Sequence, residues 1–254
     1  MIKRKINKHG QIAVFVILGL IIITSIILLL FLRKGPELIV PDEENPEAFI
    51  ESCTKEAIDE AINLLSEQGG DIEAKGGFLY NGKNIDYLCY NKNYYEPCIN
   101  QKPLLKEHIR KEIESYITPK VEACFQTLKK ELEKTNSIEM REMELKIVLE
   151  PKRAVAEIKR YFKISKNGNI KELENFKASV IDPVYELAGI ASEIANQEAK
   201  FCYFEYVGYQ LLYPEFEINK KEIDGEIKVY EVVEKKSGRK FVFAIRSCAM
   251  PAGM

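Results

Sequence analysis

The chain has 254 residues, with 37 Lys/Arg against 39 Asp/Glu and a formal charge of −2 at pH 7, enough for one or two ordinary domains. The balance is uneven: residues 1–34 hold six basic residues and no acidic one, so the other 220 carry 31 basic and 39 acidic, a formal −8. An acidic body repels phosphate backbones, so no nucleic-acid partner is expected.

Residues 1–11 form a short basic tail with Lys3, Arg4, Lys5 and Lys8. From Ile12 to Leu32 the chain reads IAVFVILGLIIITSIILLLFL, 21 residues without a charge. A helix of that length reaches across a hydrocarbon core of roughly 30 Å, so the pattern predicts a transmembrane helix over 12–32 with the lipid bilayer as its partner. A cleavable secretory signal has a shorter apolar region and a small-residue cleavage site, whereas Arg33 and Lys34 close this run. The excess of basic residues on the N-terminal side predicts a cytoplasmic N-terminus and an extracytoplasmic remainder, a single-pass arrangement in the cell membrane.

Residues 33–46 read as a Pro-containing acidic stalk, and 47–254 as the outer domain. A stripe of Ile50, Cys53, Ala57, Ile58, Ala61, Leu64 and Leu65 predicts an amphipathic helix from Glu47 to Gln68, ended by Gly69-Gly70. Asn81-Gly82 between Gly77–Tyr80 and Ile85–Tyr90 predicts a hairpin. A second helix is expected from Pro103 to about Lys134, kinked or broken near Thr118 by Pro119. Alternation then predicts strands at 143–149, 155–161 and 176–180 in an antiparallel meander. A helix over 183–200 follows, and a last hairpin pairs 227–233 with 241–245. Helices and antiparallel hairpins segregated along the chain argue an α+β fold. If the outer region has two parts, Asn136 is the expected boundary.

All six cysteines lie after the apolar run, an even number suited to an oxidising compartment. Many pairings are open on the sequence. The expected one joins Cys89 to Cys98, neighbours in the chain, Cys53 to Cys124 on two helices, and Cys202 to Cys248. No CxxC pair exists and His108 is the only histidine beyond residue 34, so no metal is expected and His108 reads as a surface residue. GxSxG, HExxH, Walker and GxGxxG patterns are all missing, so no catalytic residue, cofactor or enzymatic activity is expected. Tyr80, Tyr87, Tyr90, Tyr94 and Tyr95 crowd into sixteen residues. Tyrosine is a favoured contact residue, so Tyr87, Tyr90, Tyr94 and Tyr95 are candidates for binding a protein or glycan partner; the alternative is tyrosines covering a small core.

Lys8-His9-Gly10-Gln11, running directly into the apolar segment, resembles the class III signal of archaeal type IV pilins. That resemblance implies cleavage between Gly10 and Gln11 and assembly of the helices into a filament core. The family has Glu at the fifth position after the cut, where this chain has Phe15. GQIAVFVILG, FIESC, QGG and FVFAIR together resemble an uncharacterised group of archaeal membrane-anchored proteins over most of the chain, which implies the architecture but no activity. The function expected is therefore a membrane-anchored cell-surface protein with a binding or structural role; a pilin-like subunit and an extracytoplasmic enzyme are the alternatives.

Overall fold

The computed structural model describes residues 17–24, 45–93, 96–223 and 225–248. It falls into two units, residues 1–40 and residues 41–254.

In the first unit the structure corrects the expectation of a transmembrane helix. Helix is described only over residues 17–24, a length of about 12 Å, against the roughly 30 Å that a span needs. Among the described residues no helix is long and apolar enough to cross a membrane. The rest of the 12–32 run lies outside the described residues, as do Gly10 and Gln11. What the structure supports is a mixed assembly of helices and sheets, with no spanning helix among the described residues.

The second unit opens with α1 (Pro46–Ser66). The Asn45 side chain accepts a 3.1 Å hydrogen bond from the Ala48 N–H, and Pro46 takes the first helical position, where its missing N–H costs nothing. Ile50, Ala57, Ile58, Ala61, Ile62 and Leu65 form its buried stripe. The chain turns at Gly69 and Gly70, with φ of 74° and 93°, a region that side chains with a Cβ avoid.

Strands β1 (Phe78–Tyr80) and β2 (Lys83–Ile85) form the small hairpin at Asn81-Gly82, whose φ values of 48° and 78° are those of a primed turn. The expected strand Ile85–Tyr90 is split at Asp86. Beyond it β3 (Tyr87–Tyr90) leaves the hairpin and pairs with β4 (Ile99–Asn100) and, in parallel, with β11 (Lys240–Arg246).

Helix α2 runs unbroken from Leu105 to Leu132 with Pro119 inside it, so of the expected kink or break the break does not occur. Proline deprives the Ser115 carbonyl of its donor, but Ser115 and Pro119 are both exposed, so water can replace it. On the opposite side Ile109, Ile113, Ile117, Val121, Phe125 and Leu128 are fully buried and hold the helix in register.

β5 (Ser137–Met140) and β6 (Glu144–Glu150) lie end to end along one edge of the long β7 (Arg153–Lys166), and β8 (Asn169–Ile181) pairs along the other. Helix α3 (Val184–Phe201) then leads to the short α4 (Tyr206–Leu212). β9 (Phe216–Ile223) and β10 (Ile227–Glu234) complete a five-stranded sheet of order β4-β3-β11-β10-β9. One cluster of buried side chains runs through α1, α2 and α3 to both larger sheets, and includes Phe125, Phe162, Phe176, Tyr230, Phe241 and Phe243. A smaller one (Ile85, Val229, Val242 and Ala244) has Phe78, Tyr80 and Tyr87 packed against it.

The disulfide bonding expected of the cysteines is present. Cys53 pairs with Cys124, Cys89 with Cys98 and Cys202 with Cys248, at Cα separations of 6.4, 5.4 and 5.6 Å, all within ordinary disulfide reach. Among the described residues no cysteine is free.

Candidate functional site

The most unusual surface of the second unit is built by the segment Phe201–Tyr213. A surface helix ordinarily turns its apolar stripe inward and its polar face to water. Helix α4 has apolar groups on both sides. Tyr206 and Tyr209 pack against the core, and Gln210 Oε1 accepts a 3.0 Å bond from the Ile218 N–H, tying the helix to β9. The outward side carries Val207, Leu211 and Leu212, the two leucines 80% and 76% exposed. Phe201, Tyr203 and Tyr213 are exposed in the same segment. Single exposed hydrophobes are ordinary on a surface, whereas here six fall within thirteen residues. Lys200, Glu205 and Glu215 are exposed beside it.

A buried polar network fixes this segment to the sheet. Glu198, fully buried near the end of α3, accepts from Lys228 Nζ at 2.7 Å, from the Tyr230 hydroxyl at 2.5 Å and from the Ser247 hydroxyl at 2.9 Å. Lys228 Nζ also donates to the Cys202 carbonyl at 2.7 Å. Burial, together with the Glu198 charge, pushes the Tyr230 hydroxyl pKa far up, so it stays a donor. Cys202 takes a left-handed conformation (φ 58°) at the end of α3, and its disulfide to Cys248 clamps the turn to the strand end. The start of the segment is thus anchored at Cys202.

The tyrosines singled out in the sequence are placed differently. Tyr87 and Tyr90 are half-buried, their rings 5.1 Å apart. Tyr87 packs against the smaller core cluster, and the Tyr90 hydroxyl accepts a 3.1 Å bond from Arg246. They serve internal packing while lining a shallow cleft with Lys102 and Arg246. Tyr94 and Tyr95 lie outside the described residues. The exposed run Phe201–Tyr213 escapes a search for periodicity because its apolar residues fall on every side of the helix; its signal is density, ten apolar residues in FCYFEYVGYQLLY.

His108 corrects its reading as a plain surface residue. Its Nε2 lies 2.6 Å from Oδ1 of Asp71. Asp71 follows the Gly69-Gly70 turn, and its other oxygen is paired with Lys102, which also reaches Asp86 at 3.6 Å. Burial works to raise the Asp71 pKa, but hydrogen bonds from His108, Asp86 and Lys102 outweigh it and hold the carboxyl well below the usual range. Asp86 moves the other way, raised by burial and by the neighbouring Asp71. Glu112, one turn beyond His108 on α2, accepts a 2.9 Å bond from the Ile72 N–H. Asp71, His108 and Glu112 are the described residues whose potential metal-ligand atoms gather within 4.8 Å of one another.

Comparison with protein-family models, with curated proteins and with solved structures returns no match. The functional reading rests on this chain's own residues.

Proposed function

We propose that this chain is an extracytoplasmic binding protein, and that its partner is a protein presenting an apolar surface to the outward side of α4. The observation that carries the reading is the exposure of Leu211 and Leu212, 80% and 76%, on a helix whose polar residues do not face outward. Aliphatic side chains offer a partner no hydrogen bond, which suits a protein better than a glycan. The same stretch of chain exposes Tyr203, Tyr213, Lys200, Glu205 and Glu215, and apolar, aromatic and charged groups of this kind are combined in protein–protein interfaces. The location outside the cytoplasm is supported by the pairing of all six cysteines in disulfides, which persist in oxidising compartments.

A photo-reactive side chain in place of Val207, activated in the native cells, tests this reading. Cross-linking to one protein, abolished by Leu211→Glu with Leu212→Glu in a variant of unchanged melting temperature, is the expected result. A cross-link to a second copy of the chain would make the partner itself. Equal labelling with and without the two glutamates would remove the contact surface.

A further inference from the structure

The cluster at Asp71 is independent of the apolar patch. We propose that Asp71, His108 and Glu112 are the ligands of a first-row divalent metal ion of the zinc class. His108 and Glu112 stand four residues apart on α2, so both side chains leave the same side of the helix. Asp71 reaches them from the turn after α1, and one donor atom from each of the three lies within 4.8 Å of the others. Metal–ligand bonds of about 2.0–2.2 Å set neighbouring donors roughly 3–3.5 Å apart around an ion. His108 Nε2 and Asp71 Oδ1, now 2.6 Å apart, need to separate by less than about 1 Å to admit one.

The second oxygens of the two carboxylates are already held. Lys102 pairs with the second oxygen of Asp71, and the Ile72 N–H donates to Oε2 of Glu112. Partners of that kind orient metal ligands in known sites. The cluster opens on a cleft of about 450 Å³ also lined by Glu73, Lys75 and Asp86. Asp71, Glu73 and Glu112 there outnumber Lys75 and the adjacent Lys102, so the surroundings favour a cation. One imidazole and two carboxylates form a nitrogen–oxygen donor set, which suits zinc, cobalt, iron or manganese better than an all-oxygen calcium site. Three protein ligands leave a coordination position for water or a bound group.

The test uses the full chain, purified without reductant and stripped with a chelator. Cobalt(II) and zinc(II) are titrated separately, with calorimetry for stoichiometry and visible absorption for the cobalt ligand field. One ion per chain is expected, with a raised melting temperature, since an ion bound only by the folded state stabilises it. Glu112→Gln, which keeps the shape of the side chain, and His108→Ala should each weaken binding at least tenfold and abolish the thermal shift. Failure of the wild-type chain to bind one equivalent would overturn the proposal. So would binding that both variants leave unchanged, because the ion would then sit elsewhere.

Discussion

Glu198 of α3, with no solvent exposure, is joined to Lys228 of β10 by a 2.7 Å bond, and the same ammonium holds the Cys202 carbonyl. Glu198 and Lys228 together therefore tie the end of a helix and the turn that follows it to β10 and to Ser247 just beyond β11. Three donors converge on it, so the desolvation of the charge is offset by Lys228, Tyr230 and Ser247 together.

Glu198→Ala is expected to cost about 3–5 kcal/mol, because it strands a half-buried ammonium and a buried phenol. Denaturant unfolding under non-reducing conditions measures it. Glu198→Leu combined with Lys228→Met and Tyr230→Phe should recover much of that loss, since apolar replacement of buried partners together is often nearly neutral. A single variant within about 1 kcal/mol of wild type would show that the network carries no stability.

The disulfides should rank by the chain they enclose. Cys53 and Cys124 are 71 residues apart, Cys89 and Cys98 only 9. In the loop-closure description the first constrains the unfolded chain by about 4 kcal/mol and the second by about 3 kcal/mol. Paired serine variants, compared by unfolding midpoint, should therefore show the larger loss for 53 with 124. The reverse order would mean that native contacts around the short loop, rather than the unfolded chain, set the effect.

Much of this architecture could be read from residue patterns. The stripe from Ile50 to Leu65, the alternation of 227–233 and 241–245, and the Asn81-Gly82 turn each carry their own local signal. β9 carries a weaker one. Its inward positions begin Phe216 and Ile218 and continue with Lys220, whose side chain is only 14% exposed, so the apolar alternation stops after two residues. The short α4 has apolar groups on both sides and no period to find. The Asp71–His108 contact joins residues 37 apart, and only the turn at Gly69-Gly70 and the packing of α1 on α2 bring them together. The apolar run at 12–32 shows the converse: hydropathy alone argued for a span that no described helix supplies.

Asp182 makes the stability of the fold depend on pH. It precedes α3, where Oδ1 accepts the Val184 N–H at 2.8 Å and Oδ2 lies 2.9 Å from Nε of Arg239. Burial outweighs the Arg239 charge and pushes its carboxyl up to about 6. An unfolded aspartate titrates near 3.9, so between these values the folded state holds the additional proton. The stabilising contribution is then complete below about pH 4, falls as pH rises to about 6, and is constant above; two units amount to about 3 kcal/mol. Asp182→Asn keeps the acceptor for Val184 and cannot ionise. The stability difference between wild type and variant, measured by denaturant unfolding at intervals from pH 4 to pH 7, should therefore shift in favour of the variant as pH rises. Taking the difference removes the other carboxyls, Asp86 among them, because they are common to both proteins. Parallel curves would mean that Arg239 keeps Asp182 ionised throughout, and that the ion pair rather than burial governs the start of α3.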